Sequence, residues 1–133
     1  MSTNLNALHG WLDSLNRGDL SAIETYVADD IVDHHLPPGI PAGRAGVEIW
    51  CGLLCDALQM RVSIDDVIEE DDRIAVRATI SGCHVADFMG LPATNRRFTS
   101  SIMTIERFEY GRIVERWEMV DTTAIMEQLT SRR

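Results

Sequence analysis

Proton chemistry in this chain is suggested first by Asp121, then by His84 and by one member of the adjacent pair His34-His35. Asp121 closes the segment Arg107–Asp121, RFEYGRIVERWEMVD. Glu109-Tyr110-Gly111-Arg112 supplies a turn, because Gly111 accepts a positive φ at little cost. On the return strand Ile113, Trp117, Met119 and Asp121 share one parity, interrupted by Glu115. Alternate strand residues point to the same face, so the spacing predicts Asp121 at the end of an apolar face beside Trp117 and Met119. A carboxylate in such surroundings resists ionisation, which is how a general acid/base is prepared. Asp121-Thr122-Thr123 is equally a good helix N-cap, and a cap residue at a pocket edge can still exchange protons. His84 shares parity with Ile74, Val76, Ala78 and Ile80, which aims it to the apolar side, as a pocket residue, a core histidine bonded to backbone or an exposed residue at the strand end. His34 and His35 face opposite ways on a strand, so only one of them can line a pocket.

Other residue types narrow the chemistry. All basic residues are arginine, and the absence of lysine excludes Schiff-base catalysis and a covalently held pyridoxal phosphate. No glycine-rich phosphate motif precedes a helix. Asp33, His34, His35, His84 and Asp87 are suitable metal-ligand types, but their spacing matches no metal motif, so no metal and no cofactor are expected. Cys51, Cys55 and Cys83 read as small buried apolar residues, since their number is odd and no CxxC occurs. Trp50, Phe88, Met89, Trp117 and Met119 have the character of a clamp for a planar, hydrophobic substrate, and equally of core. Glu106, Glu115 and Glu118 read as solvated or dimer-facing charges.

The elements that must position these groups follow from periodicity. A helix is predicted over about Asn4–Asn16, with Leu5, Leu8, Trp11, Leu12 and Leu15 on one face and Gly18 as its stop. A short second helix, capped by Asp19 or Ser21, should break at Asp29-Asp30. Ile31–His35 reads as a short strand entering the Pro- and Gly-rich loop Leu36–Gly43. A third helix covers about Arg44–Leu58, with its stripe at Val47, Trp50, Cys51, Leu54, Cys55 and Leu58. Strands follow at Arg61–Glu69, Arg73–His84, about Arg97–Phe108 and the return of the hairpin, then a last helix at about Thr122–Leu129. Helices first and hairpin-joined strands after them predict an α+β fold, a curved antiparallel sheet with helices packed on its concave side and a blind pocket at one end.

The 133 residues fit one domain spanning 1–133, and a hydrophobic fraction of 45% suffices for a core. A formal net charge of −9 argues against nucleic acid and anionic membranes as partners. No apolar run reaches transmembrane length, and Met1–Asn16 has neither a basic n-region nor a long apolar stretch. The expectation is a cytoplasmic protein.

Two segments carry a resemblance. His84-Val-Ala-Asp-Phe-Met-Gly-Leu-Pro-Ala-Thr-Asn-Arg96 is similar to H-x-G-x-F-x-G-x-P-P-T-G-[KR], and Arg107–Trp117 is similar to R-F-x-x-G-K-I-x-E-x-W, with Asp121 at the matching distance. Asp33-His34, the Pro37–Gly46 loop and Gln128-Leu129 also fit. From about Leu20 onward the chain resembles the SnoaL-like polyketide cyclases, also called ester cyclases, of the nuclear transport factor 2-like superfamily with its cone-shaped α+β fold. The resemblance implies a cofactor-free intramolecular aldol ring closure of a polyketide or related carbonyl compound. It gives Asp121 the role of general acid/base and favours His34 over His35; in such a pocket His84 or His34 would stabilise the developing alkoxide by hydrogen bonding. It also implies a homodimer through the outer face of the sheet. The chain departs from the pattern at Ala86, Ala93 and Asn95, and the strand before the last hairpin carries no histidine. Hydroxylation, isomerisation or dehydration in the same pocket, or ligand binding without turnover, are therefore carried alongside.

Overall fold

The structure, a computed structural model, describes residues 2–131. The first helix, α1 (Thr3–Asn16), is capped by Ser2, whose hydroxyl accepts the Leu5 N–H, and it buries Leu8, Trp11 and Ser14. It ends at Gly18 with φ +66°. A single turn, α2 (Ile23–Tyr26), leads straight into β1 (Val27–Asp33). Here the structure differs from the sequence expectation. Asp29-Asp30 does not interrupt the chain but lies within β1, where both side chains are exposed. The reason is position: β1 is an edge strand, and its register slips between Val27 and Val32, so charged residues are accommodated in the irregular stretch.

The third helix, α3 (Gly43–Leu58), crosses the sheet formed by β2 (Arg61–Glu70), β3 (Arg73–Cys83), β4 (Arg97–Glu109) and β5 (Arg112–Val120), and α4 (Thr122–Thr130) closes the chain. The sheet is curved and unclosed, with order β1-β5-β4-β3-β2. Its successive hairpins are antiparallel, whereas β1 pairs with β5 in parallel.

One face of β3 and β4 is apolar by strict alternation. Ile74, Val76, Ala78 and Ile80 join Ile102 and Phe108 against Leu8, Trp11, Ile23 and Val47 from the helices. Each such side chain contributes on the order of 2 kcal/mol when removed from water. A smaller cluster, Ala57, Leu58, Phe98 and Leu129, joins the ends of α3 and α4 to the far end of the sheet. Gly82 permits this approach, since a Cβ there would sit 2.1 Å from the Leu58 carbonyl oxygen. Two side-chain amides then clamp strand backbone. Asn16 bonds both polar groups of Val62, and Gln128 bonds both polar groups of Thr99. No helix among the described residues is long and apolar enough to cross a membrane.

Candidate active site

Between α3, α4 and the covered face of the sheet lies a cavity of about 480 Å³. Its walls are Trp50, Leu54 and Leu58 of α3, Ile80, Ile102 and Val120 of the sheet, and Ile125, Met126 and Leu129 of α4. Phe88, Met89 and Leu91 complete it from the loop before β4, and His35 and Pro37 from the loop after β1. Trp50 and Phe88 meet at 5.6 Å between ring centroids, tilted by 39°. The volume suits a small molecule, and the walls are overwhelmingly apolar. Glu118 is the carboxyl-bearing residue in this lining.

The positions of the other predicted residues turn on one irregularity. In the β4–β5 ladder Phe108 pairs with Ile113, but Arg107 pairs with Glu115, so Val114 is an extra residue. A bulge of one residue reverses which side chains face inward for the rest of the strand. Ile113 is buried, yet beyond the bulge Arg116, Glu118 and Val120 face the helices. Trp117 and Met119 pair with Ile105 and Met103 on the outer face. Met119 borders the cavity between Glu118 and Val120, but it is 73% exposed. Trp117 is not in the lining. It stacks on His34 at 5.1 Å on the outer face, and His34 Nε2 lies 2.8 Å from Glu115 Oε2. This hydrogen bond holds the Glu115 carboxyl below its usual range, with Arg107 contributing less. Of the histidine pair it is His35 that borders the cavity.

Asp121 stands between Val120 and Thr122, which both line the cavity, but it is exposed rather than set in an apolar face. It caps α4, its Oδ1 accepting the Ala124 N–H at 3.0 Å, while its own N–H donates to Ser101 and its carbonyl accepts the Ser100 hydroxyl. His84 is completely buried outside the cavity lining. Its Nδ1 accepts the Thr94 N–H at 3.2 Å, which assigns the ring proton to Nε2, and Nε2 has no partner. His84 thereby fixes the loop 84–96, whose Asn95 takes φ +57° where the family pattern has glycine.

Sequence reasoning passed over the most heavily buried charges. Arg116 addresses three carboxyl groups at once: Glu106 Oε1 from Nε at 3.2 Å, Asp33 Oδ2 from Nη1 at 3.4 Å and Glu118 Oε1 from Nη2 at 2.5 Å. The side chains of Asp33 and Glu106 are 4% and 3% exposed, and that of Glu118 is 16% exposed. Burial pushes the Glu106 carboxyl above its ordinary range, and the charge of Arg116 opposes this only in part. Burial alone would lower the Arg116 guanidinium, but Glu118, Glu106 and Asp33 together hold it above its ordinary value. Cys51, close by, has its thiol pushed up to about 12, chiefly by burial, so it is an inert neutral group. Glu106 and Glu118 are therefore neither solvated nor dimer-facing. For Glu106 the signal was present, because it alternates with Ile102, Thr104 and Phe108. Among the described residues no group of three or more His, Cys, Asp or Glu is arranged to hold a metal ion.

A sequence model of the SnoaL-like polyketide cyclase family matches residues 6–129, nearly the whole chain. The chain belongs to this family. Its fold matches those of several solved structures. TsrD from Streptomyces laurentii is 22% identical and superposes with a TM-score of 0.88 over 98% of this chain and 96% of its own. IdmH from Streptomyces antibioticus, provisionally a polyketide cyclase, is 29% identical with a TM-score of 0.81 over 95% and 97%. A SnoaL-like polyketide cyclase from Agrobacterium tumefaciens is 25% identical, with a TM-score of 0.81 over 97% and 99%. The chain has no match among curated proteins. All three superpositions cover nearly the whole of this chain.

Proposed function

We propose that this SnoaL-like protein is a cofactor-independent enzyme that closes a ring in a polyketide or related carbonyl compound by an intramolecular aldol step. The observation that carries the reading is the apolar 480 Å³ cavity with Asp121 directly beside two of its lining residues. An apolar wall suits a hydrophobic or aromatic substrate and folds a flexible one, bringing its reacting carbons together. Asp121 removes a proton from a carbon flanked by carbonyls. The electron pair spreads into the substrate's own conjugated system, the carbanion attacks a carbonyl across the molecule, and the resulting alkoxide is reprotonated. The exposed cap position gives Asp121 free proton exchange with water between turnovers. His35 borders the cavity, whereas His34 and His84 do not, so His35 is the histidine that stabilises the alkoxide by a hydrogen bond.

The enzyme acts in the cytoplasm and as a homodimer through the outer face of its sheet. Support for the dimer comes from the exposed apolar residues Met103, Ile105 and Met119 on that face.

Binding without turnover is the second reading, and it draws on the same residue: one oxygen of Asp121 is already committed to Ala124. Asp121→Asn separates the two. Asparagine caps a helix as well as aspartate, so the fold is preserved while the proton acceptor is lost. A drop of about 10²-fold or more in ring closure of an aryl poly-β-ketone ester, with binding retained, is the expected result. Ligand binding with no conversion by either protein would leave the carrier reading.

A further inference from the structure

The four buried charged side chains beside the cavity have no part in the chemistry assigned to Asp121. From their geometry we infer that Glu118 is a second proton-transfer residue of the cavity, held in position by Arg116, Asp33 and Glu106. The inference rests on the reading of this pocket as an acid/base site.

Cost is the first argument. Burying several charges is expensive, and well-packed apolar residues of similar volume serve stability as well or better. Here one guanidinium serves three carboxyls drawn from three different strands, β1, β4 and β5. The arrangement is more acidic than its one cation can neutralise. A purely structural ion pair has no need of that surplus.

Direction is the second argument. Of the four residues only Glu118 lines the cavity. Its Oε1 is fixed by Arg116 at 2.5 Å, and among the described residues no group bonds its Oε2. One oxygen is anchored and the other is left for the cavity's contents, which is the arrangement a positioned base requires. Arg116 is in turn fixed by Asp33 and Glu106 through its remaining nitrogens. The groups facing Glu118 are thus Arg116 on its own strand, Asp33, Glu106, and Cys51 from α3, with His35 also at the cavity.

The step balances without a co-reactant. A second C–H bond next to a substrate carbonyl, apart from the one that Asp121 opens, breaks; its proton forms an O–H bond with Glu118 Oε2, and the electron pair enters the enolate. Glu118 Oε2 then gives a proton back to the enolate carbon, which restores the carboxylate. Glu118 and Asp121 are three positions apart, about 10 Å along the chain from β5 into the cap of α4. Two carboxyls at that spacing suit a substrate that is enolised at two places. The class of ligand is therefore an enolisable aryl ketone whose carbonyl end meets β5.

The test uses 2-tetralone in D₂O, with exchange of its benzylic C–H followed by NMR. Wild type should accelerate exchange over buffer, and Glu118→Gln should lose about 10²-fold of that acceleration. Glu118→Asp, which keeps the charge but withdraws it by one methylene, should lose less and guards against misfolding of the first variant. Glu106→Gln, which takes the charge from one of the carboxyls that hold Arg116, should change the shape of the pH–rate profile and slow exchange less than Glu118→Gln does. Full exchange by Glu118→Gln beside an inactive Asp121→Asn overturns the inference and leaves the Asp121 reading standing. Loss in Glu118→Gln with full exchange in Asp121→Asn does the reverse. Carboxyl ¹³C NMR of the wild type supplies a readout independent of turnover: if the Glu118 signal does not respond to added 2-tetralone, the inference fails.

Discussion

Glu106 sits at the junction of two opposing demands. Its side chain is 3% exposed and its Oε2 has no partner, so ionisation there is resisted, while Arg116 at 3.2 Å favours it. Burial is the larger effect, and the carboxyl is shifted upward. The sign for stability follows by linkage. A group whose folded value is raised binds its proton more tightly in the folded state, so its contribution is present at low pH and is lost as pH rises through the folded value. Glu106→Gln should therefore remove a loss of stability that wild type suffers above the ordinary carboxylate range. Urea unfolding between pH 5 and 9 checks this: the variant's curve should stay flatter, and parallel curves would mean that Glu106 is ionised throughout. In the sequence its parity with Ile102, Thr104 and Phe108 points inward while its charge points to solvent or a dimer face, and packing decides for parity. Asp121 shows the converse. Its cap geometry was readable from Asp-Thr-Thr, whereas its exposure was not, because exposure depends on which way the preceding strand faces.

Strand β5 explains why. A single extra residue near Val114 reverses the facing of everything after it, so Trp117 and Met119 exchange sides with Arg116 and Glu118. Alternation in β3 and β4 survived intact into the structure, because those strands are regular through the ladder that joins them. Periodicity carries no mark for a bulge, and a parallel partner such as β1, far away in sequence, leaves no turn signal either. The loop before β4 holds a second local feature. Phe88 and Leu91 bridge through Met89 at φ +47° and Gly90 at φ +84°. Two successive positive φ values favour Asn-Gly, and a methionine with no local hydrogen bond to compensate costs on the order of 1 kcal/mol there. Met89→Asn should raise stability by about 0.5–1 kcal/mol by relieving that turn, seen as a higher midpoint in denaturant. Because Met89 is also 71% exposed and borders the cavity, the same change should weaken binding of a hydrophobic ligand. An unchanged midpoint would show that the turn carries no strain.

At the scale of the molecule the sheet has two unlike faces. The covered one is occupied by helices and cavity; the other exposes Met103, Ile105 and Met119, with Ile68 at 67% exposure, in rows that cross the strands. Ile68, Ala75, Ile105 and Trp117 are successive partners across four strands, and the His34 ring continues the row by stacking on Trp117. Arg77, Arg107 and Glu115 flank this stripe with charges of both signs, which lets two copies related by a twofold axis pair their rims. The area is adequate: strands of 7 to 13 residues span about 23–43 Å and five strands about 20 Å, roughly 650 Å² per partner, at the lower end of a standard interface. A charge at the centre of the stripe should abolish association, since it would be buried twice without a partner. Ile105→Glu is therefore expected to convert a dimer to a monomer in sedimentation velocity. Its outward side chain leaves the cavity alone, so 2-tetralone exchange per chain should persist. If exchange is lost as well, the dimer must be supporting β5, and through it the placement of Glu118.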